Sequence, residues 1–438
     1  MIKLIRVIRV KYFDNTVDLS KLSKTFLLWG AGLVLVYISN IILIRLIGMQ
    51  QYGEYAVFMN WVGLISTGVT FGWDGYLVQQ VPLLPVNSSG KKEGAKILKR
   101  ALFTFFVLYS LLLLLLFLGV YFFKIISFFH TTGAVLSFLL LVLFFTGISY
   151  SKSILKIFHR ISPVQWLEDI CKPLLLMGVF YWYYYFGREM TLSSVYHINI
   201  LLFLGLLVGL YWLLHKTIRN QFDKKEQGSV EKGWLHKCFY FMCIMLGYSF
   251  FSRMELLFLG YYDKNEDAAK YQLLLRLAEL VILPDFLFNY YLPQKFSHLF
   301  AEKNNAEAGK LFRNAARTIF FLQLLCLTAV ASLGYFYLQS FNIAGWRLYV
   351  LLLVLSSAQL LYSFFGSSNL VLMTSGNERY SFLALALVIV AEAIANVLFI
   401  PSLGLMAAVY ISWGSILLYT LLLYIFVKKK LQFKSPFL

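Results

Sequence analysis

The chain has 438 residues, of which 60% are hydrophobic and only 14% charged. A soluble domain has too little interior to hide that much apolar side chain, so a soluble globular fold is excluded. The formal charge of +18 would point to nucleic acid on a soluble protein. Here the basic residues sit in short connections between apolar blocks, where they report membrane topology and not a nucleic-acid surface.

The first stretch, Met1 to Lys11, spaces Lys3, Arg6 and Arg9 three apart among Ile2, Leu4, Ile5, Val7 and Ile8. It reads either as a short basic helix lying on an anionic membrane surface or as a basic tail. After it the apolar residues fall into blocks of about 20, the length a helix needs to cross the hydrocarbon. In lipid every backbone amide must be paired within its own segment, so blocks of this length are helices. The spacing predicts twelve spans, near 25–47, 54–77, 101–123, 133–151, 167–186, 193–214, 236–259, 271–292, 315–338, 347–373, 380–400 and 404–427. The expected fold is therefore all-α and polytopic. The expected organisation is a basic segment over 1–24, a six-span half over 25–215, a linker over 216–235, a second half over 236–427 and a basic tail over 428–438. A faint repeat supports two halves: Leu46-Ile47-Gly48 followed by Tyr55-Ala56 matches Leu259-Gly260 followed by Ala269-Lys270-Tyr271. Paired halves would place a substrate path between them.

Basic residues orient the spans. With the N-terminus inside, 30 of the 39 lysines and arginines fall in inner connections, 5 in outer ones and 4 within spans. Both termini are then cytoplasmic, and no outer connection is long enough to hold a soluble domain.

No catalytic motif is present, neither a phosphate-cradling P-loop nor a GxSxG elbow. The six histidines are scattered, and the four cysteines (Cys171, Cys238, Cys243 and Cys326) lack metal-ligand spacing, so no cofactor or metal is expected. With no nucleotide site, a proton or sodium gradient, or the substrate itself, must drive any transport.

Charges inside spans are costly and so mark function. Arg253 lies about 10 Å below the outer end of the seventh span and Arg276 about 9 Å deep in the eighth, at ~1.5 Å per residue. Each could reach the outer headgroups, and Arg276 could pair with Glu279 one turn on. Their similar depth on consecutive helices also fits one shared cationic site, and Arg45 is a third intramembrane arginine. The intramembrane acids Asp74, Glu255, Glu279 and Glu392 are candidates for proton or cation exchange. Glu392 falls near mid-bilayer, where it should face the interior, either exchanging an ion or pairing helices through Asn396. Pro173 and Pro284 permit kinks.

Three stretches carry a resemblance. Leu46-Ile-Gly-Met-Gln-Gln-Tyr-Gly-Glu-Tyr-Ala56 leads to Phe71-Gly-Trp-Asp-Gly-Tyr-Leu-Val78 and Pro82. Arg253-Met-Glu255 leads through Leu259-Gly260 to Tyr271, Arg276-Leu-Ala278 and Pro293. Gly366, Leu372 and Thr374-Ser-Gly-Asn-Glu378 lead to Asn396-Val-Leu-Phe-Ile-Pro401, Gly404 and Ala407-Ala408. In this order they resemble bacterial polysaccharide flippases, the O-antigen and capsule branch of the multidrug/oligosaccharidyl-lipid/polysaccharide (MOP) exporter superfamily. Departures are Met406-Ala407 where the family favours Gly-Ala, and Glu255 where it often has Asp.

The resemblance implies two pseudo-symmetric six-helix lobes around a central cavity, in the bacterial inner membrane. It implies a flippase of undecaprenyl-pyrophosphate-linked oligosaccharide, with polysaccharide polymerase and other assembly proteins as partners besides the lipid bilayer. Arg253, Arg276 and Arg45 would bind the pyrophosphate, since arginine's planar fork suits phosphate oxygens. Two rival readings stand beside it: a multidrug exporter of the same superfamily, and a membrane-embedded polysaccharide polymerase or ligase. The first should show an acidic cavity without intramembrane arginines, and the second a large outer loop.

Overall fold

A computed structural model describes residues 19–80, 97, 100–114, 132–157, 161–187, 189–218, 233–289, 292–343, 345–433 and 437. The N-terminal basic stretch and most of the 216–235 linker lie outside these residues. Every described element is helical, and the predicted spans overlap these helices where they are described, the third of them only to residue 114. Seven helices are long and apolar enough to cross a membrane, or eight when one bent pair is taken as a single span. The chain is a multi-pass α-helical membrane protein.

In chain order the helices are α1 (Leu19–Val69), α2 (Trp73–Gln80), α3 (Arg100–Leu114), α4 (Thr132–Ile157), α5 (Ile161–Gln165), α6 (Lys172–Tyr185), α7 (Leu192–Ile218), α8 (Trp234–Phe251) and α9 (Met254–Tyr261). They continue as α10 (Asn265–Ala278), α11 (Leu283–Asn289), α12 (Leu292–Ala301), α13 (Asn305–Ser340), α14 (Trp346–Phe364), α15 (Ser368–Thr374), α16 (Glu378–Leu403) and α17 (Leu405–Leu431). A π-helical turn, Trp166–Cys171, joins α5 to α6. Within α1 the helix is broken at Gly48, with φ 80° and ψ 166°, a conformation that glycine enters without steric cost. The first two predicted spans therefore meet at one residue, with no loop between them.

The described residues fall into two compact units. One is built from Met1–Leu46 and Trp73–Trp234, the other from Ile47–Gly72 and Leu235–Leu438. The units divide at the Gly48 break and not only between the sixth and seventh spans, so residues 47–72 group with the C-terminal part of the chain, whereas a split at the 216–235 linker puts them in the first half. In the N-terminal unit α4 packs on α7 and α2. Lys152 of α4 pairs with Glu168 in the π-helical turn.

In the C-terminal unit α17 packs against α16 and α14, and α14 against α13 and α10. The core holds Leu256, Leu274, Leu352, Leu355, Ala408 and Val409. α16 shows how the unit is sorted. Its buried face carries Ser381, Ala384, Glu392 and Asn396, while Leu387, Val390, Ile394, Val397 and Leu398 are exposed. The polar side chains face the neighbouring helices together with Leu385, Val388 and Ile400, while the outward face is uniformly large and apolar, the arrangement a lipid solvent selects.

Candidate functional site

The seventh predicted span is broken. α8 and α9 are bent by 62° at Ser252 and Arg253, and Arg253 caps α9 with φ −132° and ψ −1°. The eighth is interrupted too: α10 ends at Ala278, and α11 begins at Leu283 with Pro284 in its first turn, where the missing N–H costs no helix bond. Both arginines thus stand beside helix breaks, Arg253 at one and Arg276 in the last turn before the other.

Arg253 is half-buried. Its Nη1 donates to the Asn60 carbonyl oxygen at 3.3 Å. The Nη1 tip of the guanidinium lies close against Gly63, where a β-carbon would stand 2.1 Å from it. Arg276 is exposed, and its Nη1 pairs with Glu279 Oε2 at 3.2 Å, as the spacing predicts. The two guanidinium groups are within electrostatic range of each other, and Tyr52 is in range of Arg276. Among the described residues no carboxylate pairs directly with Arg253, and Glu279 acts on it only at longer range. The structure therefore brings Arg253, Arg276 and Glu279 together in the C-terminal unit. Arg45 is exposed on α1 and Asp74 is half-buried in the first turn of α2, both in the N-terminal unit. Asp74 Oδ1 accepts from the Gly75 amide at 3.0 Å.

A second constellation lies deeper in the same unit. Glu255 and Glu392 are each 2% exposed, and their helices, α9 and α16, pack together so that the two carboxyl groups interact electrostatically. The α8–α9 break puts Glu255 in the first turn of α9, where the N-terminal partial charge favours an acid. Tyr271 Oη donates to Glu255 Oε2 at 3.3 Å. Glu255 Oε1, Glu392 Oε2 and both amide atoms of Asn396 are buried without a hydrogen-bond partner. Glu392 thus engages Glu255 across a helix interface, not Asn396 one turn on. Two interacting buried carboxyls need a positive charge between them, whether a shared proton or a bound cation. Among the described residues no group of three or more His, Cys, Asp or Glu side chains is placed to hold a metal ion.

The break at Ser252–Arg253 carries no proline or glycine to announce it. Tyr271 belongs to one of the resembling stretches, and nothing in the sequence distinguishes it among the 29 tyrosines.

The sequence profile of the family described as "Polysaccharide biosynthesis protein" matches residues 22–291. No curated protein sequence matches the chain significantly. Solved structures share its fold over nearly the full length. A multidrug resistance MATE family transporter of the MOP superfamily, inward-facing, superposes with TM-score 0.67 at 13% identity, covering 92% of this chain and 94% of that one. The lipid II flippase MurJ, in an inward closed conformation, gives TM-score 0.63 at 14% identity, covering 94% and 88%. A MOP superfamily transporter from Pyrococcus furiosus, described as having a binding pocket of reversed polarity, gives TM-score 0.60 at 13% identity, covering 94% and 93%. With the fold of MOP superfamily transporters and a family match over more than half its length, this chain belongs to the polysaccharide biosynthesis protein family.

Proposed function

We propose that this protein is a flippase that carries undecaprenyl-pyrophosphate-linked oligosaccharide, an O-antigen, capsule or exopolysaccharide repeat unit, from the inner to the outer leaflet of the bacterial inner membrane. It works by alternating access, as a transporter and not an enzyme, with both termini cytoplasmic. The observation that carries this reading is the pairing of Arg253 with Arg276. Two guanidinium groups within electrostatic range, each beside a helix break and with Glu279 the one carboxylate in direct contact among the described residues, form a site of excess positive charge. Such charge is tolerated in a membrane where it meets an anionic ligand. A pyrophosphate supplies one, and the two planar forks can each take two of its oxygens. Organic cations, the cargo of the rival multidrug exporter reading, would be repelled by the same pair. Arg45, exposed on α1 in the N-terminal unit, is a further candidate for binding a phosphate group.

The buried pair Glu255–Glu392 couples the cycle to a proton or sodium gradient, with Glu279 and Asp74 as further exchange candidates. Polysaccharide polymerase and other assembly proteins then receive the flipped glycan.

The test is the leaflet on which glycan accumulates. In spheroplasts of a strain lacking the protein, the lipid-linked repeat unit should build up shielded from an added glycosidase, and restoring the protein should expose it. Accumulation of glycan already open to the glycosidase would place the block after flipping and overturn the proposal.

A further inference from the structure

The stretch between Gly48 and Gly72 belongs covalently to the first half of the chain but packs against α8, α9 and the start of α10. Its contacts run in antiparallel order. A β-carbon at Gly53 would stand 1.7 Å from the Asn265 backbone oxygen, and one at Gly260 would stand 2.4 Å from Val57 Cγ1. Next come Asn60, whose carbonyl oxygen accepts from Arg253, and Gly63, against which the same side chain rests. A β-carbon at Gly68 would lie 3.9 Å from Leu246 Cδ1, and one at Gly72 would lie 2.3 Å from the Cys238 backbone oxygen. Val57 is 5% exposed and shares the core of the C-terminal unit with Leu256 and Leu259. From Gly53 to Gly68 the seam runs about 22 Å at ~1.5 Å per residue, most of the roughly 30 Å hydrocarbon thickness. A gate is closed at one end and open at the other. A seam closed at both ends, with glycines bringing backbone against backbone, is the packing inside one body.

The stretch bends where it leaves that body. Gly48 has φ 80° and ψ 166°, a region open essentially to glycine alone. A β-carbon there would meet nothing within 4 Å, so the backbone can turn without collision. At the other end Phe71 and Gly72 have φ 51° and 68°, and the chain enters the N-terminal unit at Trp73. It leaves that unit again after Trp234. The rings of Trp73 and Trp234 are stacked, with centroids 5.2 Å apart. Two of the three places where the chain passes between units therefore lie side by side.

Resting on the alternating-access reading, we infer that the helix between Gly48 and Gly72 travels as part of the C-terminal unit, and that the chain flexes at Gly48 and at the Trp73–Trp234 stack. Arg253 then keeps its seat on Asn60 and Gly63 in every conformation, and the cationic site stays assembled through the cycle.

The full-length protein, its four native cysteines replaced by alanine, is reconstituted in lipid. Val57→Cys with Gly260→Cys can be bridged, since a β-carbon at 260 would lie 3.1 Å from that of Val57, near the separation of about 3.5–4.5 Å that a disulfide spans. Fully oxidised, this variant should flip lipid-linked glycan as fast as after reduction. Flipping lost on oxidation and regained on reduction would show that the seam opens in each cycle, and would overturn the inference. Spin labels at the exposed positions Gln51, Glu266 and Ser193 give a reading independent of transport. The distance from Gln51→Cys to Glu266→Cys should be single and unchanged when undecaprenyl pyrophosphate is added. The distance from Gln51→Cys to Ser193→Cys spans the bend and should shift. A shift of the first pair would overturn the inference. Gly48→Ala has room for its β-carbon but strains the backbone, so flipping should fall about five-fold or more with cross-linking between 57 and 260 intact. Wild-type flipping in that variant would overturn the bend at Gly48. If the cysteine-free parent flips no glycan while the labels behave as stated, the flippase reading falls and the travelling helix stands.

Discussion

The guanidinium of Arg253 is seated on the backbone of Gly63, so closely that a β-carbon there would stand 2.1 Å from Nη1. The atom in the way is the tip of a flexible side chain. Gly63→Ala should therefore push the guanidinium off its seat and away from the Asn60 carbonyl without harming the fold. The expected result is a fall in surface glycan of about ten-fold, as for one lost charge-assisted hydrogen bond, at unchanged protein level. Full activity would show that the seat does not matter.

Gly53 makes the opposite prediction. A β-carbon there would lie 1.7 Å from the backbone oxygen of Asn265, and a backbone cannot step aside. Gly53→Ala must pry α1 from the start of α10, and overpacking of this kind costs about 1–3 kcal/mol. The membrane level of the protein and its thermal midpoint in detergent should both fall. An unchanged midpoint would mean that α10 moves freely there.

The topology can be checked on two exposed positions. In a chain whose four native cysteines are replaced by alanine, Glu266→Cys in the first turn of α10 and Asn305→Cys at the start of α13 should differ. An impermeant thiol reagent added to whole cells should label the first and not the second. Equal labelling would refute an orientation with both termini cytoplasmic.

The broad architecture was legible because it rests on run length and on basic residues, and both survive in a single sequence. The pairing of Arg276 with Glu279 was legible because three residues on a helix span one turn. The acid pair was not. Glu255 and Glu392 are far apart in the chain, and the obvious partner for Glu392 was Asn396 on its own helix. What joins the two acids is the packing of α9 against α16, which no local pattern encodes. The α8–α9 break was hidden for a related reason: Ser252 and Arg253 carry no breaking residue, and the contact Arg253 makes at the break, to the Asn60 carbonyl of α1, is one no local pattern encodes.

Neutralising the acid pair should uncouple transport from the ion gradient. Glu255→Gln and Glu392→Gln keep size and hydrogen-bonding groups but remove the negative charge that a proton or cation must balance. In proteoliposomes, flipping by the wild type should accelerate when a gradient is imposed, while either Gln variant should run at one slow rate with or without it. A Gln variant that still answers to the gradient would move the coupling site elsewhere.

The sharpest separation of the two readings of the arginines comes from lysine. If Arg253 and Arg276 hold a pyrophosphate, each contributes a planar fork as well as a charge, with charge-assisted hydrogen bonds worth about 1.5–3 kcal/mol. Replacement of either by Ala should then lower surface glycan in a deletion strain by ten-fold or more, at about 1.4 kcal/mol per factor of ten. Replacement by Lys should recover only part of it, since a point charge cannot bind two oxygens at once. If the arginines merely reach to the headgroups, charge and length are all that count, and Lys should serve fully. Arg276 is the more exposed of the two and is already paired with Glu279, so its Lys variant should lose less than that of Arg253, whose fork is fixed against Asn60 and Gly63. At matched protein level, full activity of both Ala variants would remove the pair from the substrate site, and full activity of both Lys variants would favour anchoring at the membrane surface.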